Sequence, residues 1–252
     1  MAKIALITGA SSGIGEACAH TFAQQGYHLI LAGRRAHVLE KVAHSLITKY
    51  TIEVKTLQVD VRDNEDLTYK LNTLTPQWKK VDVLINNAGL SQGLDPIDKG
   101  STSDWDIMID TNVKGLLYVT KIVSSWMVEK KSGHIINIGS IAGKEVYANG
   151  NVYCATKHAV DALNKSMRID LLPHGIKVTA IHPGAVETEF SIVRFKGDEA
   201  RAKKVYDGFE PLVAQDIAEA IWFTVSRPPH VNINDMLIMP TAQANGSLIK
   251  RD

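Results

Sequence analysis

The sequence predicts an α/β fold: one doubly wound parallel sheet of about seven strands with helices on both faces, Rossmann-like, in a single domain spanning residues 1–252. Two observations predict it. Short apolar runs near 4–8, 28–32, 53–59, 81–85, 133–138, 177–182 and 235–239 alternate with helix-period patterns near 14–25, 36–49, 64–74, 103–130, 151–172 and 214–226, as parallel strands joined by crossover helices require. Polar residues capable of chemistry gather just after the apolar runs, at the carboxyl ends of the strands, where such sheets bind ligands. Composition narrows the class. The 28 Lys plus Arg against 27 Asp plus Glu give a net charge of +1, so no basic surface awaits nucleic acid. No apolar run approaches the ~18 residues of a membrane helix. Cys18 and Cys154 are too few for a disulfide scaffold. The apolar run after Lys3 is too short for a secretion signal and breaks at a glycine turn, which makes the cytoplasm the expected compartment.

Each element can be justified in chain order. The first run, Ile4-Ala-Leu-Ile-Thr8, leads into Gly9-Ala-Ser-Ser-Gly13-Ile-Gly15 and then a helical pattern. Strand, glycine-rich turn and helix N-terminus make an anion site, because free N–H groups and the positive end of the helix dipole face the ligand. The second run ends at Ala32-Gly33-Arg34-Arg35, where an NAD-selecting protein carries an acid. Two arginines at a helix start oppose the macrodipole. They suit an arriving 2′-phosphate, with Ser11 and Ser12 as added hydroxyl donors; the alternative is two solvated surface charges. Asp60-Val61 closes the third run and Asn86-Asn-Ala-Gly89 the fourth. The pattern near 103–130 contains Asn112, and Ser140 follows the fifth run. Residues 151–172 form a helix that carries Tyr153-Cys-Ala-Thr-Lys157. Pro183-Gly184 follows the sixth run and opens an aperiodic stretch near 184–213, read as a substrate lid.

Tyr153 and Lys157 carry the chemistry. At i and i+4 they share a helix face. An ammonium ~4 Å from the phenol at an effective dielectric of ~20 favours the phenolate by up to ~4 kcal/mol, which moves its pKa from ~10 toward neutrality. Taken alone, such a pair also occurs on helix surfaces.

The ordered set of segments resembles the short-chain dehydrogenase/reductase family over essentially the whole chain. The resemblance implies that Thr8 to Gly15 is the cofactor loop, with Gly9, Ser11, Ser12, Gly13, Ile14 and Gly15 against the dinucleotide. It implies that Asp60 and Val61 contact the adenine, that Asn87 lies near the cofactor, and that Pro183, Gly184, Val186 and Thr188 run along the nicotinamide. Asn112, Ser140, Tyr153 and Lys157 match that family's catalytic tetrad in order and spacing. Ser140 then stabilises the developing alkoxide, Tyr153 moves the proton, Lys157 also holds the nicotinamide ribose, and Asn112 orders a water linked to Lys157. The implied cofactor is NADP, with Arg34 and Arg35 on its phosphate.

The closest branch in this resemblance is the NADP-dependent 3-hydroxy acid dehydrogenases, which implies hydride transfer at C3 of a short 3-hydroxy or 3-oxo acid. A carboxylate entering the pocket needs a cation, and Lys144 and Arg194 are the candidates, unless both are lid-surface charges. The substrate residues are then Ser140, Tyr153, Lys144 and Arg194. An NADPH-dependent reductase of other ketones or 3-oxoacyl thioesters is the alternative, and a cofactor-binding regulator without turnover a third. No metal is expected, since the nine histidines show no paired ligand spacing. The resemblance also implies a dimer or tetramer joined through the helices at 103–130 and 151–172; the first bears Trp105, Leu116, Leu117, Val119, Val123 and Trp126, an apolar bulk that points to a homotetramer unless core packing alone uses it.

Overall fold

The computed structural model describes residues 2–252. A seven-stranded sheet runs through the molecule: β1 (Ile4–Thr8), β2 (His28–Gly33), β3 (Val54–Gln58), β4 (Val83–Asn86), β5 (Gly133–Ile138), β6 (Ile176–Pro183) and, last in the chain, β9 (Asp235–Ile238). Their spatial order is β3-β2-β1-β4-β5-β6-β9, and every pairing is parallel. β1 is buried along its whole length and β5 from its second residue onward, as both-face coverage demands of parallel strands. The order reverses between β1 and β4, so the loops leaving these strands splay apart and open a crevice at their carboxyl ends.

One face of the sheet is covered by α1 (Gly13–Gln24), α2 (Ala36–Lys49) and α9 (Ala214–Val225), which contribute Phe22, Leu39, Leu46, Ile217 and Ile221 to a core without solvent contact. The other face is covered by α3 (Asn64–Asn72), α5 (Leu116–Lys130) and α6 (Asn151–Leu171), with Leu67, Leu71, Val119, Val123 and Met127 at its centre. Among the described residues, no helix is long and apolar enough to cross a membrane.

Three expectations change. The helix expected over 103–130 is broken: α4 (Thr102–Ile109) passes through a π-helical turn, Asp110–Gly115, before α5. Widened turns of this kind concentrate at functional sites, and this one holds Asn112. The stretch 184–213 is built of short elements: β7 (Val186–Glu187), α7 (Phe190–Arg194), α8 (Glu199–Lys204) and β8 (Leu212–Val213), with β7 and β8 paired in a second small sheet. The apolar stripe on the 103–130 segment is spent largely inside this chain. Leu116, Val119 and Val123 belong to the core, Trp105 and Trp126 are half-buried, and Leu117 alone of the six is exposed.

Candidate active site

A cleft of about 480 Å³ lies over the carboxyl ends of β1, β2, β4, β5 and β6. One end is shaped by two glycines. Gly9 takes a left-handed φ of 65° as the chain leaves β1, a conformation that glycine adopts freely. Gly15 does not border the cleft; it packs beneath it, so close that an added Cβ would lie 2.3 Å from the Gly9 carbonyl oxygen. The first turn of α1 is thereby pressed against the end of β1. Ser12, in extended geometry before α1, makes no side-chain cap, and the first amides of a helix have no intrahelical partners. Ser11, Ser12, Gly13 and Ile14 line the cleft there, beside Arg34 and Arg35. Arg35 donates from Nη2 to the Ser11 carbonyl at 3.1 Å and from Nε and Nη2 to Ser11 Oγ at 3.3 Å, and it pairs with Glu189, just before α7, at 3.0 Å. Asp60 and Val61 border the same end. The Asp60 carboxylate is gripped by Arg62, Nη2 to Oδ2 at 2.6 Å. Burial alone would raise its pKa, but the Arg62 bonds and charge hold it below the usual value. Asn87 ties the loops together, donating from Nδ2 to Thr8 O at 2.9 Å and Gly9 O at 3.2 Å.

At the other end Ser140, Tyr153 and Lys157 converge. Ser140 Oγ accepts from the Ala142 amide at 3.1 Å, which leaves the hydroxyl hydrogen free to donate outward. Lys157 Nζ donates to the Ile138 carbonyl at 2.8 Å and stands 6.0 Å from the Tyr153 ring centroid. Burial brings its pKa down to about 8. The expected drop in the Tyr153 pKa does not occur in the free protein. Burial pushes the phenol well above its ordinary value, the Tyr147 phenol adds to the rise, and Arg194 with Ser140 offset only part of it. Coulomb arithmetic for the lysine pair left out the desolvation of the phenolate, which here wins.

Asn112 lies outside the cleft wall, and both its N–H donors are engaged. It accepts from Leu90 N at 2.8 Å and donates to Leu90 O at 2.8 Å and Thr156 Oγ1 at 3.0 Å, so it joins the loop after β4 to α6. Pro183, Gly184, Val186 and Thr188 line the cleft. Lys144 does not reach it. The turn Ile141–Gly143 sends that ammonium away, to Asp161 at 2.8 Å and Asp235 at 2.9 Å. Arg194 does reach it, with its guanidinium carbon 5.2 Å from the Tyr153 ring centroid and 5.1 Å from that of Phe190.

Residues 3–198 match the family described as short chain dehydrogenase. The chain belongs to this family. The NADP-dependent 3-hydroxy acid dehydrogenase YdfG of Salmonella typhi is 46% identical over 246 residues, which cover 97% of this chain and 98% of that protein. Sulfoacetaldehyde reductase 2 of Chromohalobacter salexigens is 42% identical over 245 residues, 97% of this chain and 96% of its own. A solved closed form of serine dehydrogenase complexed with NADP+ superposes with a TM-score of 0.92 at 44% identity, covering 99% of each chain.

The short chain dehydrogenase site fits a nicotinamide dinucleotide on this structure's own terms: a glycine cradle under a helix start, cations at one end and a phenol beside an ammonium at the other. Sequence reasoning missed three contributors. Tyr147 accepts from Arg194 Nη2 at 2.9 Å; its signal was an aromatic in the otherwise small and polar segment before Tyr153. Phe190 lies 5.6 Å from the Tyr153 ring, centroid to centroid. Gln243 accepts from the Ala185 amide at 2.8 Å and closes the wall from the C-terminal segment, which carried no motif.

Because the Tyr153 phenol keeps its proton at neutral pH, reduction is expected to stay level there, while oxidation, which needs phenolate, should climb as pH rises. Tyr153→Phe should abolish both while dinucleotide binding, followed by fluorescence, persists. A tyrosinate absorbance step below pH ~10 that disappears in Tyr153→Phe would contradict the burial argument.

Proposed function

We propose that this protein is an NADP-dependent dehydrogenase moving hydride between the dinucleotide and C3 of a short 3-hydroxy or 3-oxo acid. The dinucleotide supplies or accepts the hydride, and the side chains do the rest. Ser140 donates to the substrate oxygen, where negative charge develops in reduction. Tyr153 gives its proton to that oxygen in reduction and recovers it in oxidation. Lys157, fixed on the Ile138 carbonyl, faces the ring of Tyr153 and would hold the nicotinamide ribose. Arg34 and Arg35 suit the phosphate that distinguishes NADP from NAD, and the serine dehydrogenase and YdfG relatives are named for NADP.

The observation that carries the substrate class is Arg194. No carboxylate pairs with it among the described residues, and its buried Nε–H has no hydrogen-bond partner there, although it lines the cleft beside Tyr153 and Ser140. A carboxylate entering the cleft needs a cationic partner, and the planar fork of an arginine without a carboxylate of its own supplies one. The relatives' names agree on the distance. In a 3-hydroxy acid the carboxylate carbon is two bonds from the reacting carbon, and in sulfoacetaldehyde the sulfonate sulfur is two bonds from the aldehyde carbon. Both free cysteines are buried thiols, suited to a reducing cytoplasm. For assembly we favour a homotetramer, supported by exposed Ile109 and Leu117 on one helical segment and Ile169 and Leu172 on the other.

Three outcomes test these readings. Charge-assisted bonds contribute ~1.5–3 kcal/mol each, so Arg35→Ala should weaken NADP binding roughly ten- to a hundredfold and leave NAD binding nearly unchanged in calorimetry; equal losses would remove the phosphate assignment. Arg194→Ala should erase the kcat/KM advantage of a 3-hydroxy acid over its methyl ester. An equal loss for acid and ester would instead favour a reductase of neutral ketones. Sedimentation at micromolar concentration should give a four-chain mass, and a stable monomer would end the tetramer reading.

A further inference from the structure

Behind Ser140 lies a cluster that the chemistry above leaves unused. Lys144 Nζ bonds Asp161 Oδ1 and Asp235 Oδ2 at 2.8 and 2.9 Å. The same two oxygens face His182 Nε2, at 3.6 and 3.2 Å, so ammonium and imidazole occupy opposite corners of a four-sided arrangement. Lys165 takes the other Asp161 oxygen at 2.7 Å. On its far side the ring meets the active site: Nδ1 lies 3.2 Å from the Ser140 carbonyl oxygen. A carbonyl only accepts, so this contact needs the proton on Nδ1, and the carboxylates that face Nε2 call for one there as well. Nothing fits between the ring and the backbone it touches. A Cβ at Gly139 would lie 2.4 Å from Nδ1, and the His182 side chain has no exposed surface.

We propose that His182 is a positioning residue: clamped by the Asp161–Lys144–Asp235 cluster, it holds the Ser140 carbonyl through Nδ1–H and so fixes the aim of the Ser140 hydroxyl. Ser140 sits in extended backbone between β5 and the turn Ile141–Gly143; its carbonyl accepts from the Gly143 amide at 2.8 Å within the turn, and His182 adds a second hold, from β6, on the peptide group that carries the side chain. The adjoining Pro183 lines the cleft, so the same ring braces both walls. Misplacing a reacting contact by about 1 Å can cost about a hundredfold in rate, which makes this contact consequential although it touches no substrate. The inference rests on Ser140 acting at the substrate oxygen, whichever substrate that is.

Two substitutions separate the ends of the ring. The shorter Asn amide reaches the place of Nδ1, and the longer Gln amide reaches the place of Nε2. With the 3-hydroxy acid that the native protein oxidises fastest, His182→Asn should keep kcat within about threefold and His182→Gln should lose about tenfold or more, with KM for NADP steady in both. On a Ser140→Ala background His182→Gln should cost nothing further, because the residue acts through Ser140. Gln is nearer to His in volume, so a Gln variant as active as the Asn variant would reduce His182 to packing and overturn the proposal. An undiminished loss on the Ser140→Ala background would overturn it too. Full activity of Ser140→Ala itself would instead remove the serine's role. Independently of turnover, nitrogen NMR of the labelled native protein should show a proton on His182 Nδ1 at neutral pH, and a bare Nδ1 there would refute the contact.

Discussion

The architecture of the site depends on one close approach, that of Gly15 to the Gly9 carbonyl. Any larger residue at Gly15 would meet both that oxygen and the Asn87 amide, which lies 2.6 Å from the Cβ position. Three segments are thus drawn to one point: the exit of β1, the first turn of α1 and the exit of β4. Asn87 locks them by donating to two successive carbonyls. Because β1 and β4 flank the reversal in strand order, this point is also where the crevice opens. The helix start and the loop after β4 cannot move apart without leaving buried backbone groups unpaired.

From that point a second constraint runs across the sheet. Asn86 donates to Thr120 at 2.8 Å and to Asn137 at 2.9 Å, and Asn137 donates to Asn164 on α6 at 3.0 Å. Asn112 makes a parallel connection from Leu90 to Thr156 on the same helix. Buried amides of this kind tolerate few alternative arrangements, since each slip strands a donor in a low-dielectric interior. They register β4 against β5 and both against α6. Tyr153 and Lys157 ride on α6 and Ser140 follows β5, so the relative placement of these three side chains is fixed by polar contacts made away from the phenol, the ammonium and the hydroxyl.

Most of the fold was legible because its signals are local. Apolar runs, the glycine turn and the arginine pair after β2 each declare themselves within a few residues. What the sequence hid is non-local. Lys144 is four residues past Ser140, yet its partners lie 17 and 91 residues away, and no window of sequence contains them. The π turn at Asp110–Gly115 adds a residue to a helix without disturbing the apolar period enough to be seen. The pKa of Tyr153 depends on how completely α7, α6 and the turn after Ser140 enclose it, a property of the assembled molecule and not of the Tyr153–Lys157 spacing. The apolar stripe near 103–130 was visible, but which part of it faces this chain's own core was not.

Arg194 has a consequence for the free protein. Folding buries its Nε–H without a partner, and the guanidinium is held in place by aromatic rings and the Tyr147 hydroxyl in the absence of a countercharge. An anion that enters therefore meets a guanidinium already aimed by its neighbours, so little side-chain freedom is left to lose when the contact forms.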